Sequence, residues 1–309
     1  MNLYLIDGNS YVYRAFYAIK NLSNSRGFPT NAIYGFINML LKIIREKKPD
    51  GIVISFDSPV PTERHRIYED YKAQRPETPG DLIRQIPYIR KIISALNIKI
   101  FEVPGYEADD ILGTIAKTGA SEGIDVFIVT GDKDMLQIVD RKVKVYDPMK
   151  DMIFDEQYVR EKFGVGPARI PEFMALTGDA VDNIPGIKGV GEKTARELVT
   201  QFDNLEDMLN NTERIQKEKL RRLVSENADI VKLSQKLATL DTSVPIDIRI
   251  DEYTLREPDW HSLFALFREL EFGSLMKLIP SGTTREMSNE TLLSARRLEE
   301  IVSTIKDAF

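Results

Sequence analysis

Short apolar strands alternate with amphipathic helices through the first half of the chain. Residues 3–6 are apolar and lead into Asp7, and the apolar residues 51–56 lead into Asp57, a pattern typical of buried strands. Apolar residues at helical spacing lie between these strands, and a right-handed crossover would close this order into a parallel pair. This half therefore predicts an α/β fold with a central, mostly parallel sheet flanked by helices. Its predicted elements, in chain order, are 3–6, 10–19, 34–46, 51–56, 81–96, 99–103, 125–130 and 143–146.

The pattern becomes helical in the second half. Trp260, Phe264 and Phe267 recur at near-helical spacing, which favours a place in the core over a stacking platform. Residues 281–289 are rich in Ser and Thr and predict a linker, and the last segment could form one amphipathic helix without obvious partners. The predicted helices here are 155–163, 171–177, 205–209, 217–240 and 260–278, interrupted by an extended stretch over 244–250.

Acidic residues gather where the predicted strands end. Some follow the strands directly, and others occupy the first turn of a helix that starts after Pro104-Gly105, where the helix dipole favours anions. Capping the N-terminus of this helix would need only one of the acids in its first turn. Because the carboxyl ends of parallel strands share one edge of a sheet, we expect these acids to converge. They are Asp7, Asp57, Glu107, Asp109, Asp110, Asp132 and Asp134.

Carboxylates held this close repel one another unless a cation compensates their charge. Hard oxygen ligands select Mg²⁺ or Mn²⁺, and the lack of histidine or cysteine ligands argues against zinc. A paired site for hard cations is the usual apparatus for phosphodiester hydrolysis. The acids therefore predict a divalent-metal site, whereas three acids alone could equally be an acidic helix start.

Composition narrows the class of protein. The 309 residues suffice for two domains, and no apolar run is long enough to predict a membrane span or a signal peptide. Zero cysteines exclude disulfides and thiol chemistry, so we expect an intracellular protein. A net charge of -6 is unfavourable for nucleic-acid binding, but the acids of one metal site account for much of it, and local patches decide binding.

A basic and aromatic stretch follows Asp57. Residues 58–75 combine five basic side chains with two tyrosines, which predicts a stretch too polar to be core. It could be a solvated helix without a function, as most charge runs are, or a mobile element that grips a single strand by phosphate contacts and stacking. Its position beside the metal site favours the second interpretation. Arg14 could likewise be a surface charge, the commoner case, or a phosphate contact near Asp7.

A glycine-rich segment, residues 178–195, lies between two predicted helices. Asp179 and Asp182 are three residues apart, so in a helical turn they would share a face and could reach one cation. The glycines permit a tight hairpin whose N–H groups approach a phosphate at a helix N-terminus. Together with two lysines, this spacing predicts a helix-hairpin-helix motif that grips the duplex backbone without reading bases. Its glycines and lysines are Gly186, Lys188, Gly189, Gly191 and Lys193.

Taken together, these motifs resemble the 5′ nuclease domain of bacterial DNA polymerase I and the related flap endonucleases. The resemblance spans about residues 1–280 and keeps the order and approximate spacing of the family's motifs. It implies an α/β nuclease core over 1–165 with a helical arch at about 58–90, a helix-hairpin-helix DNA-binding region over 166–280 and a linker-like tail over 281–309. The matching segments are 7–9, 56–57, 71–75, 105–110, 130–134 and 178–195.

The resemblance also implies roles for residues. Two Mg²⁺ ions, which Mn²⁺ could replace, would be held by the seven acids above with Asp179 and Asp182; the acids up to Asp110 would lie mainly nearer one ion and the others nearer the second. Lys72 and Arg75 match arch residues that engage the scissile phosphate, and Arg14 matches a basic position of the first motif. K⁺ would bind at the hairpin. The implied DNA-binding residues are Tyr71, Gly186, Lys188, Gly189, Gly191, Lys193 and Thr194.

Two residues depart from the family pattern. Gly131 stands where alanine is frequent, and Glu63 stands where an apolar or aromatic residue is frequent in the arch. Neither departure removes a ligand, but Glu63 bears on how the arch packs and therefore on substrate preference.

Three functions fit the sequence. The first is a monomeric, structure-selective 5′-3′ exonuclease and flap endonuclease that removes RNA primers and flaps in replication and repair, by two-metal catalysis. Its partners would be DNA with a 5′ flap or a 5′ end at a duplex junction, an RNA primer on DNA, and a polymerase domain in cis or in trans, with no membrane. The second is a DNA-binding module that has lost catalysis, which the intact acid set opposes. The third, a metal-dependent ribonuclease, would lack the hairpin module.

Overall fold

The computed structural model describes residues 1–283 and contains one six-stranded sheet. Its spatial order is β3-β2-β1-β4-β5-β6, with all neighbours parallel except the antiparallel pair β5 and β6. This arrangement confirms the predicted fold class. The strands are β1 (Asn2–Asp7), β2 (Gly51–Ser55), β3 (Lys99–Phe101), β4 (Asp125–Val129), β5 (Val143–Asp147) and β6 (Met152–Phe154).

Helices cover both faces of the sheet and form most of the chain after residue 155. The α-helices are α1 (Gly8–Ala18), α2 (Asn31–Lys47), α3 (Glu63–Ile67), α4 (Gly80–Ala95), α5 (Ala108–Ser121), α6 (Glu156–Phe163), α7 (Ile170–Thr177), α8 (Glu192–Gln201), α9 (Leu205–Asn210), α10 (Glu218–Glu226), α11 (Ala228–Ala238), α12 (Trp260–Glu269) and α13 (Gly273–Met276). Across residues 1–283, no helix is both long and apolar enough to cross a membrane.

Two hydrophobic cores flank the sheet. One joins α5 to the helical region from α6 to α11, and the other joins α1, α2 and α4 to the last helices, α12 and α13. Phe264 and Phe267 are buried in the second core, in agreement with the sequence pattern. The helical region therefore does not stand apart from the sheet, because its two ends pack on opposite faces.

Strand register brings the acids to one edge. Asp7 pairs with Ser55 across β1 and β2, and Ile6 pairs with Val129 across β1 and β4. The residues that follow these strands therefore leave the sheet at the same level. This edge is where an open α/β sheet places its ligands.

The structure differs from the sequence predictions at several points. Strand β6 was not predicted, because it is short and its Met152 and Ile153 are exposed at the sheet edge. The helical pattern over 217–240 forms two helices that meet at Asn227, whose side-chain amide donates to the carbonyl of Leu223 at 2.8 Å. The linker and the apolar tail lie mostly outside the described residues.

The predicted helical turn at Asp179 and Asp182 is also wrong. Residues 180–183 form a turn closed by an antiparallel bridge, with reciprocal backbone hydrogen bonds of 2.9 and 2.8 Å between Asp179 and Ile184. Asn183 takes a left-handed φ of 55°, which ends any helical path. Both aspartates are nevertheless buried at the same edge.

Candidate active site

A cleft of about 750 Å³ opens at the carboxyl edge of β1 and β4. Six of the nine predicted acids line it, together with the three basic residues predicted to be catalytic. Convergence across the sheet, the arch and the glycine-rich segment is thus observed directly. These lining residues are Asp7, Arg14, Asp57, Lys72, Arg75, Asp109, Asp132, Asp179 and Asp182.

The first two acids are fixed by helix starts. Asp7 is the N-cap of α1: its carboxylate accepts the N–H of Ser10 at 2.9 Å and the hydroxyl of Thr130 at 3.2 Å. Asp57 accepts the N–H of Ala108 at 2.8 Å, at the start of α5. Each strand-end acid therefore caps a helix, which fixes its position before any ligand binds.

Asn9 adds a second constraint on Asp57. Its side-chain amide donates to the other carboxylate oxygen of Asp57 at 2.5 Å. Both oxygens of Asp57 are therefore engaged, one by a backbone N–H and the other by a side chain.

Two other acids each have a carboxylate oxygen without a hydrogen-bond partner in the described part of the chain. Oδ1 of Asp109 and Oδ1 of Asp134 are buried and have no hydrogen-bond partner within residues 1–283. Asp132, between them in the chain, accepts the N–H of Asp134 at 2.9 Å. Buried oxygens are almost always hydrogen-bonded, so the unpaired oxygen of Asp109 in the cleft indicates a site for a ligand that supplies positive charge. Asp134 does not line the cleft but has a second such oxygen.

Burial and neighbouring carboxylates raise the pKa values of acids in the cleft. Burial raises the pKa of Asp7 to about 7, with further increases from the charges of Asp57 and Asp132 and partial compensation by the Ser10 N–H. Burial also raises the pKa of Asp109, and the charges of Asp7 and Asp132 raise it further. Such groups resist ionisation in the protein alone.

Asp132 and Asp134 share this behaviour. Burial raises the pKa of Asp132, and the Asp182 charge adds to the rise. Burial raises the pKa of Asp134 well above its usual value, followed by the charges of Asp132 and Asp179. Asp7, Asp109 and Asp132 in the cleft therefore carry repulsion that a bound cation would relieve, and so does Asp134, which contacts Asp132.

Arch cations neutralise two other acids. Lys72 Nζ lies 2.9 Å from Glu107 Oε2 and 3.6 Å from Asp182 Oδ2, and Arg75 Nη2 lies 2.5 Å from Asp182 Oδ1. Burial alone would raise the pKa of Asp182, but the charges of Lys72 and Arg75 together lower it. The pKa of Lys72 is raised in turn, because Glu107 and Asp182 outweigh the effect of burial.

The arch stretch is neither one continuous helix nor wholly solvated in this structure. Only Glu63–Ile67 is helical, and the residues around Lys72 form turns docked on the loop at Asp182, where the Lys72 N–H donates to the Asp182 carbonyl at 3.0 Å. The prediction that the whole stretch is too polar for the core is wrong for two residues. Tyr71 is 3% exposed and Arg64 is 8% exposed.

Burial changes what Tyr71 contacts. Its hydroxyl lies 3.1 Å from Glu107 Oε2 and 3.3 Å from Asp182 Oδ2, and its ring belongs to the core that includes α5. In this conformation the ring offers no free face for a base. Stacking on Tyr71 therefore requires movement of the arch and stays a prediction.

Asp110 and Asp179 contact basic residues that were not predicted as site residues. Asp110 lies beneath the cleft, where the guanidinium of Arg64 donates to both of its oxygens at 2.7 Å. Asp179 faces Lys133, whose Nζ lies 3.1 Å from its Oδ2. Lys133 stands between two predicted acids in the chain, a spacing that could have identified it, whereas no sequence signal distinguishes a buried Arg64 from a solvated one.

Arg14 also lines the cleft. Its Nη1 is buried and has no hydrogen-bond partner in the part of the chain that the structure describes. A methyl group added at Gly131 would lie 2.8 Å from Arg14 Nη2. The glycine thus leaves room for the guanidinium, which gives the departure from alanine at this position a physical reason.

The hairpin lies beside the cleft. A Cβ on Gly186 would lie 2.3 Å from the backbone nitrogen of Gly178, so the two segments meet at a distance that only glycine allows. Gly189 has a left-handed φ of 95° and Gly191 is the N-cap of α8. Lys188 and Lys193 are exposed along this face, together with Gly189 and Gly191, and Thr194 is half-buried.

The donor set suits hard cations, although it is not preassembled around one. Across residues 1–283, no three carboxylate, imidazole or thiol side chains are placed to hold one ion directly. Side-chain rotation or bridging water would therefore have to complete the coordination. The all-oxygen chemistry and the unpaired oxygens of Asp109 and Asp134 fit Mg²⁺ or Mn²⁺.

Two family profiles match consecutive parts of the chain. The 5′-3′ exonuclease N-terminal resolvase-like domain matches residues 2–164, and the 5′-3′ exonuclease C-terminal SAM fold matches residues 165–261. Together they cover well over half of the chain.

Similar proteins have two lengths. The chain is 44% identical over 275 residues to a 5′-3′ exonuclease of Aquifex aeolicus, covering 89% of this chain and 94% of that protein. It is 39% identical over 283 residues to DNA polymerase I of Caldicellulosiruptor bescii, covering 90% of this chain but only 33% of that protein. The chain thus spans nearly all of the first relative and about one third of the second.

Solved structures share the fold at low identity. The phage T5 D15 protein co-crystallised with metal ions has a TM-score of 0.67 at 18% identity, covering 78% of this chain and 90% of that one. The catalytic core of Rad2 in complex with DNA substrate has a TM-score of 0.61 at 18% identity, covering 87% of each chain. The profiles and the close relatives confirm the resemblance drawn from the motifs: the chain belongs to the 5′-3′ exonuclease family of nucleases.

Proposed function

We propose that the protein is a structure-selective 5′ nuclease that acts as a 5′-3′ exonuclease and as a flap endonuclease on DNA. The observation that carries this proposal is one cleft lined by six aspartates and by Arg14, Lys72 and Arg75. The aspartates can coordinate divalent cations, and the basic side chains can bind the negatively charged phosphodiester.

Two Mg²⁺ ions, replaceable by Mn²⁺, are the proposed cofactors. When bound, they supply a nucleophile from water and stabilise the charge that develops on the phosphodiester. Asp109 and Asp134, with their unpaired oxygens, are the best-prepared ligands, while Asp7 and Asp57 hold fixed positions at helix starts. Similar solved structures with bound metal ions support dependence on divalent metal.

The chain's own residues would position the substrate. Lys72 and Arg75 would exchange their contacts with Glu107 and Asp182 for contacts with the scissile phosphate. Arg14, whose Nη1 is buried without a hydrogen-bond partner within residues 1–283, would contact the same phosphate. The hairpin with Lys188 would hold the duplex backbone, with K⁺ as a bridging ion.

The biological setting is part of the proposal. Relatives named DNA polymerase I support removal of flaps and RNA primers during replication and repair, with a polymerase domain acting in cis or in trans. We further propose that the nuclease acts as a monomer, in the cytoplasm at the nucleoid.

A product map on labelled nucleic acids tests the activity. Wild-type protein in Mg²⁺ should release short products from a flap labelled at its 5′ end, and should leave a matched 3′ flap and single-stranded RNA largely intact. EDTA should abolish cleavage and retain DNA binding. Binding without product at high protein concentration would favour the module that has lost catalysis, and preferential cleavage of the RNA would favour the ribonuclease.

A further inference from the structure

Arg64 is a buried cation at the base of the arch with an unusually complete set of acceptors. Its Nη1 and Nη2 donate to the two oxygens of Asp110 at 2.7 Å. Its Nε donates to the carbonyl of Leu237 and Nη2 also donates to the carbonyl of Thr239, both at 2.9 Å. A buried arginine is tolerated only when its donors are satisfied in this way, so the position is specifically constructed.

These bonds join three separate parts of the protein. Arg64 belongs to α3 in the arch, Asp110 to the first turn of α5, and Leu237 to the end of α11. The sequence separations are 46 residues to Asp110 and 173 to Leu237. One side chain therefore anchors the arch to both the acid-bearing helix and the helical region.

Asp110 has no oxygen left for a metal ion. Besides the two bonds from Arg64, its Oδ1 accepts the N–H of Asp241 at 2.9 Å and its Oδ2 accepts the N–H of Glu107 at 3.4 Å. It does not line the cleft, unlike its neighbour Asp109, whose Oδ1 is unpaired. Adjacent acids in one helical turn therefore have opposite surroundings.

The anchor extends to the cleft through Glu107. Arg64 Nη1 lies 3.5 Å from Glu107 Oε2, the same oxygen that lies 2.9 Å from Lys72 Nζ and 3.1 Å from the Tyr71 hydroxyl. Arg64 thus helps to fix the carboxylate against which Lys72 is placed.

We propose that Arg64 is a positioning residue that sets Lys72 in the cleft through Glu107, and that Asp110 serves as its partner and not as a metal ligand. This inference rests on the proposed nuclease function. It separates Asp110 from the ligand set that the sequence suggested.

A double-mutant cycle tests the link to Lys72. Removing Arg64 alone leaves a buried carboxylate without its cation, so the background is Arg64→Met with Asp110→Leu, which removes both charges together. Circular dichroism must first show that this double variant is folded. In wild type, Lys72→Ala should slow single-turnover flap cleavage roughly 10- to 100-fold. In the neutral background the same change should slow it less than about threefold, since Lys72 is already misplaced.

Lys188→Ala provides the matched control. Its effect on duplex binding should be the same in both backgrounds, because the hairpin lysine grips DNA away from the arch. If Lys72→Ala slows cleavage by the same factor in both backgrounds, Arg64 does not act through Lys72 and the inference is overturned. A structural defect alone would give that additive result.

Metal binding tests the role of Asp110 without any turnover. Titration of Mn²⁺ alone, followed calorimetrically, should give Asp110→Asn an affinity within about twofold of wild type and Asp109→Asn one at least about 10-fold weaker. Equal losses in the two variants would overturn the assignment. Should circular dichroism show that Asp110→Asn is unfolded, the neutral double variant replaces it and the same affinity is expected.

Failure of this inference is distinguishable from failure of the proposed function. If wild type neither binds Mn²⁺ nor cleaves the flap, the nuclease assignment itself is refuted. If wild type does both while the cycle is additive, only the positioning role of Arg64 is refuted.

Discussion

Replacing Asp7 with Asn should stabilise the metal-free protein above about pH 7. Burial and the neighbouring charges of Asp57 and Asp132 raise the pKa of Asp7 from 3.8 to about 7. At ~1.36 kcal/mol per pH unit, ionisation of this group in the folded state costs about 4 kcal/mol relative to the unfolded chain. That value is an upper bound, since the neighbours share the same repulsion.

The sign of the pH dependence follows from the raised pKa. Stability from a protonated Asp7 is complete below about pH 4 and is lost as the pH rises through about 7. Asn carries no charge, and its Oδ1 can still accept the Ser10 N–H that caps α1. At ~2 °C per kcal/mol for a chain of this size, the melting midpoint should rise by up to about 8 °C at about pH 8.

Asp182→Asn is the matched control, with the opposite expected sign. Lys72 and Arg75 lower the pKa of Asp182, so its charge stabilises the fold at neutral pH and that stability is lost only as the pH falls through the lowered pKa. Midpoints are measured in excess EDTA at about pH 8 and about pH 4 by circular dichroism. The gain for Asp7→Asn should vanish at the lower pH. A lowered midpoint for Asp7→Asn at the higher pH, or shifts of the same sign for both variants, would refute the reasoning.

Three further outcomes are expected. Asp134→Asn should have an unchanged or raised melting midpoint in EDTA and should bind flap DNA at least as well as wild type, but cleave it at least about 100-fold more slowly in Mg²⁺; a clearly lowered midpoint with near-normal cleavage contradicts this. Lys72→Ala should reduce single-turnover cleavage more than duplex affinity, whereas Lys188→Ala should reduce duplex affinity more than cleavage. Equal effects on both quantities in both variants would show that the arch and the hairpin do not have separate roles. Duplex affinity should fall steeply with salt, and Lys188→Ala should reduce the log-log slope by ~0.9 in a fluorescence-anisotropy titration; an unchanged slope would mean that Lys188 contacts no phosphate.

The strands and the acids that follow them could be predicted from the sequence. A buried parallel strand has a strong apolar signal, and the charged residue after it necessarily lies at the sheet edge. Asp7 and Asp57 follow this rule, and both line the cleft. Strand β6 gives no such signal, because it has three residues at an edge and its Met152 and Ile153 stay exposed.

The partners of the acids were much less predictable. Arg64 lies within a charged stretch that any periodicity analysis assigns to solvent, and it is buried only because α5 and the end of α11 surround it. Its acceptor at Leu237 is 173 residues away. No local pattern encodes a contact of that separation. The same holds for Tyr71, whose hydroxyl contacts Glu107 and Asp182 inside the protein.

The structure thereby divides the acids by chemistry where the sequence presents one cluster. Glu107 and Asp182 are neutralised by Lys72 and Arg75, whereas Asp109 has an unpaired buried oxygen and a raised pKa. A cation that approaches Asp109 relieves repulsion, while one that approaches Asp182 must displace a cation of the arch. Because a displaced Lys72 or Arg75 is then free for phosphate, the same acids that hold the arch closed would release its basic residues when metal and DNA enter the cleft together.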